Sequence, residues 1–108
     1  MVKKRREIEK IIAQYINRLG VLGVEVSQII LYGSYAKGRP KGYSDIDIAV
    51  VSPAFNKLDI FERQEILSKA HHQFGEPIEP IGLTPGQIKE KKGFVREIVN
   101  RGITIYKK

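Results

Sequence analysis

The sequence contains no cysteine and no tryptophan, and only one methionine and two histidines, in 108 residues. Without thiols there can be neither a disulfide framework nor a thiolate metal centre, although that absence alone does not fix a redox compartment. Long apolar runs are also missing. After Met1-Val2 the basic block Lys3-Lys4-Arg5-Arg6 is followed by Glu7, Glu9 and Lys10, which interrupt the apolar stretch that a secretory signal requires. No segment approaches the length of a membrane span, so the expected location is cytoplasmic. Acidic residues are the scarcer charge, 12 against 19 Lys and Arg, for a formal net charge of +7. That excess suits a polyanionic partner, nucleic acid or nucleoside triphosphate, without choosing between them. Lysines at Lys3-Lys4, Lys91-Lys92 and Lys107-Lys108 fit a plain solvated surface equally well.

The residues that are present are enough for a fold. With 42% hydrophobic and 29% charged residues, interspersed rather than blocked, the chain is expected to form a single domain over 1–108 with one two-layer core. Ile8, Ile11, Ile12, Tyr15, Ile16 and Leu19 recur at helical spacing and predict an amphipathic helix ending near Gly20, with Gly20 or Gly23 as its stop. Val24 to Tyr32 and Ser44 to Val51 read as strands, separated by Gly33-Ser34, a turn over Ser34 to Lys37 and the loop Gly38-Arg39-Pro40-Lys41-Gly42. Ser52-Pro53 ends the second strand. Leu58 to Phe74 reads as a helix, Ile78 to Leu83 as a short strand, and Thr84-Pro85-Gly86-Gln87 as a capped helix start. The helix that follows carries Ile88, Phe94, Val95, Ile98 and Val99, breaks around Gly93 and ends at Gly102; Ile103 to Tyr106 is a last strand. The order α, β, β, α, β, α, β implies an α/β (α+β) arrangement, a small mixed sheet covered by helices.

Two aspartates sit inside an otherwise apolar strand. Strand alternation puts Asp45, Asp47 and Ala49 on one face and Ile46, Ile48 and Val50 on the other, with the two acidic Cα atoms roughly 7 Å apart. Ionised carboxylates that close on a half-buried face repel one another unless a cation sits between them. Hard oxygen ligands without nearby His or Cys suit Mg²⁺ or Mn²⁺ rather than Zn²⁺, and Mg²⁺ is commonly bound by a few carboxylates together with substrate phosphates. Gly33-Ser34 supplies a close backbone approach and a hydroxyl donor for phosphate, and Lys37 and Arg39 add positive charge. The glycines fit neither a Walker loop nor a dinucleotide fingerprint. Taken singly, the turn is an ordinary turn and the aspartates are an exposed strand edge; their combination points to a metal–nucleotide site. His71-His72 are adjacent on a helix and cannot face one ion together. Tyr32, Tyr35 and Tyr43 flank the motif; one could stack on a base, but packing or loop anchoring accounts for them, and none of the five is assigned to chemistry.

"GSYAKG" followed by "SDIDIAV" resembles the pattern Gly-Ser, ten residues, Asp, one residue, Asp of the polymerase-β-like nucleotidyltransferases, with Ser34 followed by Tyr35 to Ser44 and then Asp45-Ile46-Asp47. The order of elements over nearly the whole chain resembles the minimal nucleotidyltransferases of that superfamily. The resemblance implies a nucleotidyltransferase fold and transfer of a nucleoside monophosphate from an NTP, ATP by expectation, to a hydroxyl. Asp45 and Asp47 would hold two Mg²⁺ ions, and Gly33 and Ser34 would grip the triphosphate. A third carboxylate after the long helix is also implied, for which Glu76 and Glu79 are candidates; Glu79 is preferred because it lies inside the short strand. The family more often has Asp there. Minimal nucleotidyltransferases typically pair with an all-helical HEPN protein as antitoxin and toxin and can add AMP to a tyrosine of that partner. A non-catalytic antitoxin acting by occlusion, and nucleotidyl transfer to RNA, are the competing readings.

Overall fold

The structure is a computed structural model that describes residues 3–38, 45–72, 75 and 77–108, without the side chain of His72. Helix α1 (Arg5–Val21) is followed by strands β1 (Gln28–Tyr32) and β2 (Ile46–Val51) and a 3-10 helix (Pro53–Lys57). Next come α2 (Ile60–His72), β3 (Ile78–Leu83), α3 (Pro85–Glu90), α4 (Phe94–Arg101) and β4 (Ile103–Lys107). The strands form one mixed sheet in the order β3-β2-β1-β4, with β2 parallel to β3 and the other two pairings antiparallel.

The apolar periodicity of α1 buries Ile8, Ile12, Tyr15 and Leu19. The helix runs one residue past Gly20 and closes with the two bonds of a Schellman cap: Val24 N–H donates to Leu19 O (2.9 Å) and Gly23 N–H to Gly20 O (3.1 Å). Gly23 takes φ +89°, the left-handed geometry such a cap needs. Helices α1 and α2 run alongside each other, tied by the Tyr15 hydroxyl to Leu67 O (2.8 Å) and by Arg18 Nε to Ala70 O (2.6 Å). Asp59 and Glu62 cap the start of α2 reciprocally, Glu62 N–H donating to Asp59 Oδ1 (2.8 Å) and Asp59 N–H to Glu62 Oε1 (2.9 Å). Thr84 and Gln87 repeat that device at α3, as the sequence predicts.

Both faces of the sheet are covered. Ile29, Leu31, Ile46, Ile48 and Val50 pack against α1 and α2, while Ile30, Ala49, Val51 and Leu83 pack with Ile98 of α4. The expected two-layer core is therefore corrected to helix–sheet–helix. The predicted break around Gly93 is present: Lys91 and Gly93 take positive φ and part α3 from α4, two short helices that lie across the second face. Two further departures are local. The first strand is shorter than predicted, starting at Gln28, although Val24 and Val26 are buried in the main core. Ser52 is fully buried and is more than a breaker: its hydroxyl donates to Glu25 O (2.7 Å) and accepts from Ala54 N–H (3.1 Å), capping the 3-10 helix that sinks Phe55 into the core.

Gly102 joins α4 to β4 where the chain passes against β1. A Cβ there would run into Ile98 O and the Ile30 side chain and stand 3.0 Å from Leu31 O. Because backbone is part of that wall, it cannot yield as a flexible side chain would. Gly102→Ala should cost about 1–3 kcal/mol, read as a lowered urea midpoint at unchanged m-value.

Candidate active site

The β1–β2 pairing ends with Tyr32 opposite Asp47, and the chain then turns at Gly33 (φ +74°). Lys37 N–H donates to Gly33 O (3.1 Å) and Gly38 N–H to Tyr35 O (3.3 Å), so Gly33 to Gly38 is a compact run of turns, as predicted for Ser34 to Lys37. A Cβ on Gly33 would collide with Oδ2 of Asp47 and stand 3.1 Å from its Cγ. The glycine is thus required twice, by its backbone angle and by the carboxylate that fills the space beside it.

On the other side of β2, the parallel register places Glu79 of β3 beside Asp47. Asp45 stands just before β2 and is exposed, Asp47 is half-buried and Glu79 is exposed. Burial, then the charges of Glu79 and Asp45, hold the Asp47 carboxyl above its usual range. Tyr32 is pushed up to about 12 by burial and by the Asp47 and Glu79 charges, so its phenol stays protonated near neutral pH and acts as a donor rather than a base.

Of the sequence-predicted residues, Gly33, Asp45, Asp47 and Glu79 come together, with Ser34 in the turn beside them and Lys37 exposed at its far end. Arg39 and Glu76 lie outside the described residues, as do Tyr43 and Ser44. Among the described residues, no three His, Asp or Glu side chains converge closely enough to hold an ion unaided. The donor set still fits a hard divalent cation that takes its remaining ligands from phosphate oxygens. All three side chains offer carboxylate oxygen, and the crowding that disfavours ionised Asp47 is what a cation relieves.

Among the described residues, two grooves open on either side of Tyr32, one of them at Asp47. One, of about 340 Å³, runs from Gly33, Ala36 and Lys37 to Phe94 and Ile98 of α4. The other, of about 370 Å³, contains Asp47 and Glu79 with Gln64, Ser68 and His71 of α2. The α2 residues were missed by sequence reasoning, which set His71 aside. Their signal was a polar stripe at i, i+4 and i+7, flanking the buried Leu67 and Ala70.

Because Asp47 ionises at higher pH in the fold than in the unfolded chain, its negative charge favours unfolding, and its contribution to stability falls as pH rises through the folded value. Asp47→Asn should therefore raise the metal-free Tm at neutral pH, by on the order of a few degrees. Gly33→Ala should lower it, since the added methyl meets the carboxylate at a positive φ. Thermal melts in chelator read both signs.

The sequence profile of the polymerase beta nucleotidyltransferase family matches residues 6–108. A protein of Methanocaldococcus jannaschii, provisionally named protein adenylyltransferase MJ1305, is 32% identical over 72 residues, 64% of this chain and 49% of its own length. The chain thus spans about half of that relative. A solved structure of a provisionally assigned nucleotidyltransferase from Sulfolobus solfataricus superposes with TM-score 0.64 at 20% identity, covering 100% of this chain and 93% of that one. A toxin–antitoxin structure with AMP-PNP gives TM-score 0.57 at 23% identity over 87% and 72% of the two chains. Both share the fold, and with the family profile spanning nearly every residue the chain belongs to the polymerase beta nucleotidyltransferase family.

Proposed function

We propose that the protein is a Mg²⁺-dependent adenylyltransferase that moves AMP from ATP to a hydroxyl, a tyrosine of a HEPN-type toxin partner, and thereby acts as its antitoxin. The observation that carries this reading is the juxtaposition of Gly33 with Asp47 and of Asp47 with Glu79 in paired strands. In support stand the family membership, the adenylyltransferase name of the Methanocaldococcus relative and the nucleotide analogue in the toxin–antitoxin structure of the same fold. Asp45, Asp47 and Glu79 would hold Mg²⁺, which would supply charge neutralisation for the triphosphate and a lowered pKa for the attacking hydroxyl.

The remaining roles fall to the chain itself. The Gly33-Ser34 turn and Lys37, with Arg39, grip the triphosphate, and Asp45 and Asp47 fix its register against β2. The acceptor oxygen enters from the groove between α2 and β3, beside Glu79. It bonds to the α-phosphorus, the bond from that phosphorus to the bridging oxygen breaks, pyrophosphate leaves and the hydroxyl proton is released. A second reading, neutralisation by occlusion with little catalysis, draws on one observation: Glu79 is exposed and does not complete a three-carboxylate cluster.

Mass spectrometry of the co-expressed partner separates the two readings. An AMP adduct on a tyrosine, absent with Asp45→Asn and Asp47→Asn and reduced at least about a hundredfold in rate with purified components, is the expected result. A tight, unmodified complex would favour occlusion, and label from ATP appearing on RNA would reassign the acceptor.

A further inference from the structure

The two grooves differ in chemistry. The groove beyond Tyr32 on the α2 side sets Asp47, Glu79, Gln64, Ser68 and His71 beside a smaller apolar edge of Ile78, Pro80 and Ile81, a largely polar surface that suits a hydroxyl acceptor. The groove on the α4 side is walled by Tyr32, Ala36, Phe94 and Ile98, with Lys37 and Arg101 at its rim. Phe94 is the first residue of α4 and remains 62% exposed. Its ring is set edge-on against Tyr32, with centroids 5.9 Å apart and planes at 84°. An aromatic ring held in place yet left largely in water is a platform awaiting a flat partner. Arg101 is paired with Glu97 Oε2 at 3.2 Å, and both of these exposed side chains line the same groove as Phe94.

We propose that the groove between the Gly33 turn and α4 holds the nucleoside of the bound triphosphate, with the purine stacked on Phe94. The placement rests on the nucleotidyl-transfer reading. Phosphates at Gly33 and Asp47 leave the nucleoside either groove, and this one has the more apolar wall together with an exposed aromatic ring. Its volume of about 340 Å³ lies within the range of about 300–1,000 Å³ usual for small-molecule sites. Lys37 stands at the phosphate end, where a positive charge favours the anion. Stacking on a ring face is tolerant of base identity, so this surface selects nucleotides over bare phosphate chains more strongly than it selects ATP over GTP.

Isothermal titration of the full chain with Mg-ATP and with Mg-tripolyphosphate tests the placement. The wild type should bind ATP at least about tenfold more tightly than tripolyphosphate. Phe94→Ala should erase that difference and Phe94→Tyr restore it, while tripolyphosphate affinity stays within about twofold. An exposed position makes both variants safe for the fold, and circular dichroism verifies it. Asp47→Asn should weaken both ligands together. Wild-type-like ATP affinity in Phe94→Ala, with both ligands still weakened by Asp47→Asn, overturns the nucleoside placement and leaves the transferase reading standing. Equal wild-type affinity for the two ligands also overturns the placement, and failure of the wild type to bind either overturns both.

Discussion

The contact on which the site depends is between a missing side chain and a carboxylate. Tyr32 and Asp47 form the last pair of the β1–β2 ladder, and the next residue, Gly33, leaves room that the Asp47 side chain occupies. What fixes that register is the core. Ile46, Ile48 and Val50 point into the layer under α1 and α2, so a one-residue slip would drive Asp47 into that apolar layer and expose its neighbours. Burial of one face of β2 therefore aims the acid on the other, and the geometry of the candidate active site follows from hydrophobic packing elsewhere.

The same arrangement makes the site a local weakness. Asp47 is partly desolvated next to Glu79 and Asp45, and among the described residues none of the three takes part in an ion pair. The ion pairs that do form, Arg5–Glu9, Lys92–Glu90, Arg101–Glu97 and Lys108–Glu25, are exposed and contribute little to stability. The fold tolerates the acidic cluster because its cohesion lies in buried Ile, Leu, Val, Tyr and Phe. A chain of net charge +7 also surrounds the acids with a field that favours approach of a polyanion. On the proposed reading, a metal nucleotide would bring the cation that separates these acids.

Much of this was legible in the sequence, for identifiable reasons. The side of β2 that Asp47 takes follows from period-two alternation, although Asp45, which the sequence put in the strand, stands one residue before it; the limits of β3 follow from its flanking prolines and glycines, and the α3 cap from Thr84 and Gln87 at the required spacing. What was not legible depended on contacts distant in sequence. That helices cover both faces required knowing where the short α3 and α4 dock, which their few apolar residues leave undetermined. The Ser52 cap reads locally as a breaker, and only its bond to Glu25 O reveals a buried joint. Glu79 could be preferred over Glu76 by strand position, but its pairing with Asp47 is a property of parallel register between segments joined through α2. His71 was discounted because its neighbour is also histidine, when the informative comparison was with Gln64 and Ser68 along the helix.

Tyr32 gives the two grooves their separate identities. It belongs to both linings, its ring braces Phe94 on one side, and burial, then the Asp47 and Glu79 charges, push its hydroxyl further from ionisation. A displacement at phosphorus requires the entering and leaving groups to lie on opposite sides of the reacting atom. With the acceptor along α2 and β3 and the nucleotide along the Gly33 turn towards α4, as proposed, two grooves that share Tyr32 would meet that requirement without a moving part. The partition comes from where β1 stops. One more residue of strand would replace the turn at Gly33 with extended chain and remove the backbone that separates the carboxylate from the apolar wall.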